Sequence, residues 1–172
     1  DTNITPNVSK ADLCSDWSGN NGLGNTFVGA SIVNVGDVET TINSQNVAVD
    51  LAGNYLEFDL EHFDSPANGR LRHLGINPRE FKVSFDFVID GKDNDNYELR
   101  LIKIDSLANA TLEYSQTRTI NNLQGGRDVG YFNGSANIIL NQNDFVFWQI
   151  VNLLDDDNCT LEDSSSWYIE KR

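Results

Sequence analysis

Methionine is absent from this chain of 172 residues, proline occurs three times, cysteine twice, and only 12 side chains are Lys or Arg. Each shortage excludes something. Two thiols cannot build the disulfide framework of a small secreted scaffold, and no CxxC pair is present to suggest a zinc ribbon. Against so few cations stand 26 Asp and Glu, giving a net charge of −14 and a pI near 4.2. That field repels phosphate backbones and anionic headgroups, so no nucleic-acid partner is expected. No apolar run approaches the roughly 20 residues of a membrane-spanning helix, the longest being seven or so around Phe145 to Val151, and no membrane insertion is expected. The missing methionine and the lack of a leader pattern lead us to expect a chain that begins after processing or is cut from a longer one.

What is there suffices for a core. Hydrophobic residues make up 39% and aromatics 10%, with nine Phe, a composition that folds, and the length suits one domain. Residues 1 to 25 are polar and end in SGNNGLGN, a run of turn formers, so we read them as an arm or linker and residues 26–172 as the folded domain. Trp17 is expected to pin the arm to the body. Of the two thiols, Cys159 lies two residues before Leu161 on what reads as an inward strand face; we expect a buried free thiol, the alternative being a Cys14–Cys159 bridge. Sequons at Asn3, Asn7, Asn109, Asn133 and Asn158 are what an Asn-, Ser- and Thr-rich chain produces by chance.

From Thr26 onward apolar residues alternate with period two, and no stretch carries a helical stripe. Candidate strands are TFVGASIVNV, QNVAVDLA (Val47, Val49, Leu51), NYLEFDLEHF (Leu56, Phe58 and Leu60 on one side) and RLRHLGI, with Ser65-Pro66 and Asn68-Gly69 marking a turn. EFKVSFDFVID is the clearest half-buried strand, placing Phe81, Val83, Phe85, Phe87 and Ile89 inward and Glu80, Lys82, Ser84 and Asp86 outward. YELRLIKI, TLEYSQTRTI, YFNGSANIIL, FVFWQIV, CTL and WYIEK follow, with GKDNDN and LQGGRDVG as connectors. About eight to ten short strands without helix predict an all-β fold, an antiparallel β-sandwich of jelly-roll type. No internal repeat points to a solenoid or propeller.

FVFWQIV is unusual because it is apolar on both sides. Val146, Trp148 and Ile150 fall on one face; Phe145, Phe147, Gln149 and Val151 fall on the other. One face joins the core, and the other needs a second cover. With little chain to spare, a neighbouring copy is the economical cover, so Phe145, Phe147, Gln149 and Val151 are assigned as a subunit interface.

The order VGDVETTINSQNVAVDLAGNY, NGRLRHLGINPREFKVSFDFVIDG, YELRLIKI, NIILNQNDFVFWQIVNLLDDDNCTLEDSSSWYIEKR resembles phage virion-surface domains: knobs of head and tail fibres and related capsid decoration proteins. The resemblance covers residues 34 to 172. It implies a tumour-necrosis-factor-like jelly roll that assembles as a homotrimer on the virion surface, beside other virion proteins and in reach of host-surface glycan. The chain departs from that pattern at Phe147, where a polar residue is the rule, and at Ser164 to Ser166, which lengthen the final turn.

Chemistry-bearing constellations are sparse. His73 with Tyr97 or Arg100 would suit a polysaccharide lyase, but nothing in the spacing requires it, and GxSxG and HExxH are absent; we expect no enzyme and no cofactor. Asp90 with Asp93 and Asp95, and Asp155 to Asp157 with Asn158, supply oxygens for calcium but lack the EF-hand order, so no metal is expected. Tyr114, Tyr131 and Phe132 flank the Gly-rich connector and form a possible ligand patch for a sugar, and Arg70, Arg72 and Arg79 a possible basic patch. The rival to a virion-surface protein is therefore a secreted carbohydrate-binding module or lyase-like sandwich acting as a monomer.

Overall fold

The computed structural model describes residues 28–123 and 127–172. The expected arm, Cys14, Trp17 and the sequons at Asn3 and Asn7 lie outside the described residues. No helix occurs among those that are described. The strands are β1 (Gly29–Asn34), β2 (Val38–Thr40), β3 (Val49–Asp50), β4 (Tyr55–Phe58), β5 (Phe63–Ala67), β6 (Arg70–His73) and β7 (Arg79–Asp90). They continue as β8 (Asn96–Ile104), β9 (Ala110–Thr119), β10 (Asn121–Leu123), β11 (Arg127–Leu140), β12 (Phe145–Asn152), β13 (Cys159–Leu161) and β14 (Ser166–Lys171).

Two antiparallel sheets form the sandwich expected from the alternation. The large sheet has eight strands and runs β10-β11-β7-β14-β1-β4, with β13 on β7 and β2 on β13; the small sheet has six and runs β5-β6-β12-β8-β9, with β3 on β12. The first and last strands are partners, so the chain closes on itself through Ile32↔Trp167 and Ala30↔Ile169. The long final turn does not loosen this register. The Ser165 hydroxyl accepts from the Val88 main-chain N at 3.0 Å, and the Ser165 carbonyl accepts from the Asn34 N at 2.7 Å, tying the turn to β7 and β1 at once.

β7 behaves as its alternation predicts. Phe81, Val83, Phe85, Phe87 and Ile89 are buried, and β12 sends Val146, Trp148 and Ile150 to meet them from the other sheet. Trp148 is the junction: its ring centroid lies 4.6 Å from Phe85, 5.3 Å from Phe87 and 6.2 Å from Trp167. Such tilted and edge-on aromatic pairs add to the burial of their area. Cys159 is a buried free thiol, and burial pushes it up to about 12.

Other expectations change. QNVAVDLA shrinks to the two residues of β3, with Leu51 inside and Val47 exposed. Ser65-Pro66 lies within β5, and only Asn68-Gly69 turns, with Gly69 at a φ of 72°. In β4, Leu56 and Phe58 pair with Val33 and Ser31. Because Ala30 and Ile32 take the inward side of β1, the apolar side of β4 points out of the sandwich and stays exposed.

The core yields a direct expectation. Phe85→Ala removes a ring packed on Phe87, Tyr114 and Trp148 and should cost about 3–5 kcal/mol in urea denaturation through lost burial and a residual cavity; an unchanged midpoint would contradict this facing.

Candidate functional site

The outer face of the small sheet carries the stripe that the sequence assigns to a neighbouring copy. Here the structure corrects the premise. Phe147 is 3% and Val151 0% exposed within the single chain. The cover comes from β6 and its partners. The Arg70 guanidinium lies 4.3 Å from the Phe147 ring centroid, and that of Arg72 lies 5.8 Å from Phe145. Arg70 is held by Asp50, whose other carboxylate oxygen accepts from Gln149 Nε2 at 3.0 Å; Arg72 is held by Asp64, its Nε donating at 2.9 Å. Beside them Arg100 pairs with Glu98 at 2.6 Å. The planar guanidinium acts as a lid: apolar against the ring below, charged toward its carboxylate and water above. Phe147 and Val151 are therefore buried without a second copy, whereas Phe145 and Gln149 are half-buried. Arg70 and Arg72 are likewise not a free basic patch, and Arg79 sits at the start of β7 with its Nη1 buried.

Among the described residues, none covers the outer face of the large sheet. Register puts Phe58, Ser31, Tyr168, Ser84 and Ser135 in one row across five strands, with Leu56, Val33, Ser166, Asp86 and Asn133 in the next. Tyr131 (55%), Ile139 (58%), Leu56 (52%), Phe58 (48%) and Tyr168 (40%) are exposed. The short side chains leave a depression of about 400 Å³, lined by Lys82, Ser84, Asp86, Asn133, Ser135 and Tyr168. At its floor the Ser84 hydroxyl is buried without a hydrogen-bond partner. On this face Lys82 meets Glu170 at 3.7 Å and Arg172 meets Glu80 at 3.0 Å, leaving Asp86 beside the depression and Asp90 with Glu39 toward one end. Sequence reading missed this surface because the serines of β7 and β14 look like ordinary solvent-side residues.

The possible ligand patch does not converge. Phe132 is fully buried in the core, which corrects its assignment; Tyr114 is half-buried with its ring 5.4 Å from Phe85. Tyr131 alone is exposed, on the opposite face of β11 from Phe132. The lyase residues are also dispersed. Tyr97 points inward, its hydroxyl donating to the carbonyl of Asn158 at 3.1 Å, whereas Arg100 faces out of the same strand. His73 is buried at the other end of the sandwich, its Nδ1 3.0 Å from the Asn141 carbonyl.

The two acidic runs, distant in sequence, meet in space. Antiparallel pairing of β8 with β12 sets Tyr97 opposite Asn152, and the carboxylates of Asp95, Asp155 and Asp157 gather with their oxygens within 4.8 Å of one another. An ammonium already serves them. Lys92 Nζ donates to Asp155 at 2.9 Å and also to Asp157, while Asn152 Nδ2 donates to Asp95 at 3.0 Å and to Asp155 at 2.6 Å. The Asp157 main-chain N–H and then Lys92 hold Asp155 down at about 2, burial raises Asp95, and its two carboxylate partners raise Lys92. The arrangement is a charge staple between the β7–β8 turn and the β12–β13 loop.

Two measurements follow from these sites. Arg70→Ala uncovers Phe147 and should lower stability by about 1–2 kcal/mol in urea titration, more than the few tenths of an ordinary surface change. A chelator should leave the melting temperature unchanged, because Lys92 and Asn152 already donate into the acidic trio; a calcium-dependent rise of several degrees would overturn this.

No protein-family model matches the sequence. No curated protein matches it. Solved structures do resemble it in fold. An Eiger TNF structure from S. frugiperda superimposes with a TM-score of 0.61 at 10% identity, over 85% of this chain and 92% of that one. Murine APRIL, crystallised at pH 8.0, gives 0.60 at 9% identity, over 86% of this chain and all of the other. At such identities the likeness is one of architecture, and the fold is a tumour-necrosis-factor-like jelly roll.

Proposed function

We propose that this protein is a non-enzymatic surface domain that works as a homotrimer, on a virion as a fibre knob, spike or capsid decoration protein. The observation that carries the assembly is the outer face of the large sheet, which no described residue covers. Leu56, Phe58, Tyr131, Ile139 and Tyr168 leave more apolar surface on one face than a monomer usually keeps in water. That face is also where two copies can meet. The whole chain carries −14, but around the depression Lys82 is paired with Glu170 and Arg172 with Glu80, leaving Asp86. Elsewhere like charge opposes approach. In a closed threefold ring each copy offers one flank of the face and receives the other, leaving no open end for fibre growth.

The virion setting rests on the resemblance of the strand order to phage surface domains, and contacts with other virion proteins or host-surface glycan belong to the same reading. The rival, a monomeric carbohydrate-binding module, has one observation in its favour: the polar depression walled by Tyr168. Sedimentation velocity separates the two. We expect a wild-type trimer, monomers or aggregates for Tyr168→Asp because a lone carboxylate is desolvated in the interface, and for Phe147→Asp a destabilised chain rather than a clean monomer. A wild-type monomer that binds a neutral saccharide would overturn the reading in favour of the rival.

A further inference from the structure

The β5–β6 hairpin closes one edge of the small sheet and has a narrow attachment. Its pairing with β12 consists of Arg72↔Phe145 and Leu71↔Val146. Beyond them His73 takes over. Its main-chain N–H donates to the Asp144 carbonyl at 3.0 Å, its carbonyl accepts from the Asn143 N at 2.7 Å, and its ring Nδ1 lies 3.0 Å from the Asn141 carbonyl. One residue therefore clamps the hairpin to the 141–144 turn three times.

The ring itself is fully buried. Phe63 and Phe81 flank it at centroid distances of 5.4 and 5.1 Å, and Gly75 packs so closely that a Cβ there would lie 2.6 Å from Nε2. Donation to Asn141 fixes the proton on Nδ1 and leaves Nε2 as an acceptor with no partner. A second proton, on Nε2, would have no acceptor and would place a cation among aromatic rings. The charged groups nearby do not reverse this. Arg79 from β7 and His62 from the segment before β5 oppose a cation; Asp144 favours one, but its Oδ2 already accepts from the Asn141 main-chain N–H at 2.9 Å and Asn141 Nδ2 at 3.1 Å.

We propose that His73 is an acid-sensitive latch: neutral, it clamps the β5–β6 hairpin to the 141–144 turn, and protonation at Nε2 releases that hairpin from the sheet edge. Burial first, then Arg79 and His62, holds the imidazole below its ordinary range, against the pull of the Asn141 carbonyl and Asp144. The sign follows from linkage. The released form binds the proton at the ordinary histidine pKa of about 6.5, so the clamped form is fully favoured above that pH and loses ground as pH falls below it. Local release precedes global unfolding because the hairpin is an edge unit with few pairs to break, whereas β7 is paired on both sides.

Hydrogen exchange of the full chain, read by mass spectrometry at about pH 7.5 and about pH 5.0 and corrected for intrinsic rates, tests this. Relative to peptides from β7, those covering 63–73 should exchange roughly tenfold faster at the lower pH in the wild type. The chain has only two histidines, so assignment is clean. His73→Asn keeps a donor toward Asn141 without titrating and should abolish the increment, while His62→Asn should retain it. An increment that persists in His73→Asn, spreads evenly over both sheets, or is missing from the wild type overturns the latch. Should His73→Asn not fold, imidazole resonances of the wild type decide: titration of His73 below the ordinary range, followed by the Asn143 and Asp144 amides, supports it, and titration at or above that range overturns it.

Discussion

The contact on which the rest depends is Trp148 standing between the sheets. From β12 in the small sheet its indole reaches Phe85 and Phe87 of β7 and Trp167 of β14, so one side chain joins the two central strands of the large sheet to the centre of the small one. Face-to-face sheets bury their inner sides only if large residues from both interdigitate. Trp148 sets that spacing, and everything outward follows from it by the period of two. Once Trp148 points in, Phe147 must point out; once Phe85 points in, Ser84 must point out.

The two outer faces solve the resulting exposure differently. On the small sheet the apolar residues of β12 are large and central, and the chain covers them with arginines from a neighbouring strand, each anchored by a carboxylate: Asp50 for Arg70 and Asp64 for Arg72. Taken singly, half-exposed ion pairs of this kind contribute little. Their role here is positional, since each carboxylate fixes a guanidinium over a ring. On the large sheet no described residue lies over Tyr168 and Phe58 in this way, and Ser31 between them is too short to shield either.

Alternation made the fold legible. EFKVSFDFVID and FVFWQIV carry so regular a period that their core-facing residues could be named from the sequence, and they are the strands that meet at the centre of the core. Facing was harder at the edges, because β4 has apolar residues on the side that is not buried, and period alone does not say which side meets the other sheet. The lids were illegible for another reason. Arg70 and Phe147 are distant in sequence, and an arginine read in isolation counts only as charge, not as a plane that stacks. The acidic staple was closer to reach: pairing YELRLIKI with FVFWQIVN antiparallel already brings the end of one strand to the start of the other, and with it Asp95 to Asp155.

The same pairing explains why the chain's acidity does not prevent folding. Carboxylates crowd the end of the sandwich where β7 turns into β8 and β12 runs toward β13, and there five of them are given donors: Lys92 for Asp155 and Asp157, Asn152 for Asp95, the Gly36 main-chain N–H for Asp163 and the Asp163 main-chain N–H for Asp37. The exchange is mutual, because main-chain donors in these turns would otherwise need water, and at Asp155 the Asp157 main-chain N–H and Lys92 favour the charged form. On the strands, carboxylates such as Asp50, Asp64, Glu80, Glu98 and Glu170 are paired with Arg or Lys instead. A protein at −14 can then stay soluble through its ends while one flat, lightly charged face remains available to a partner.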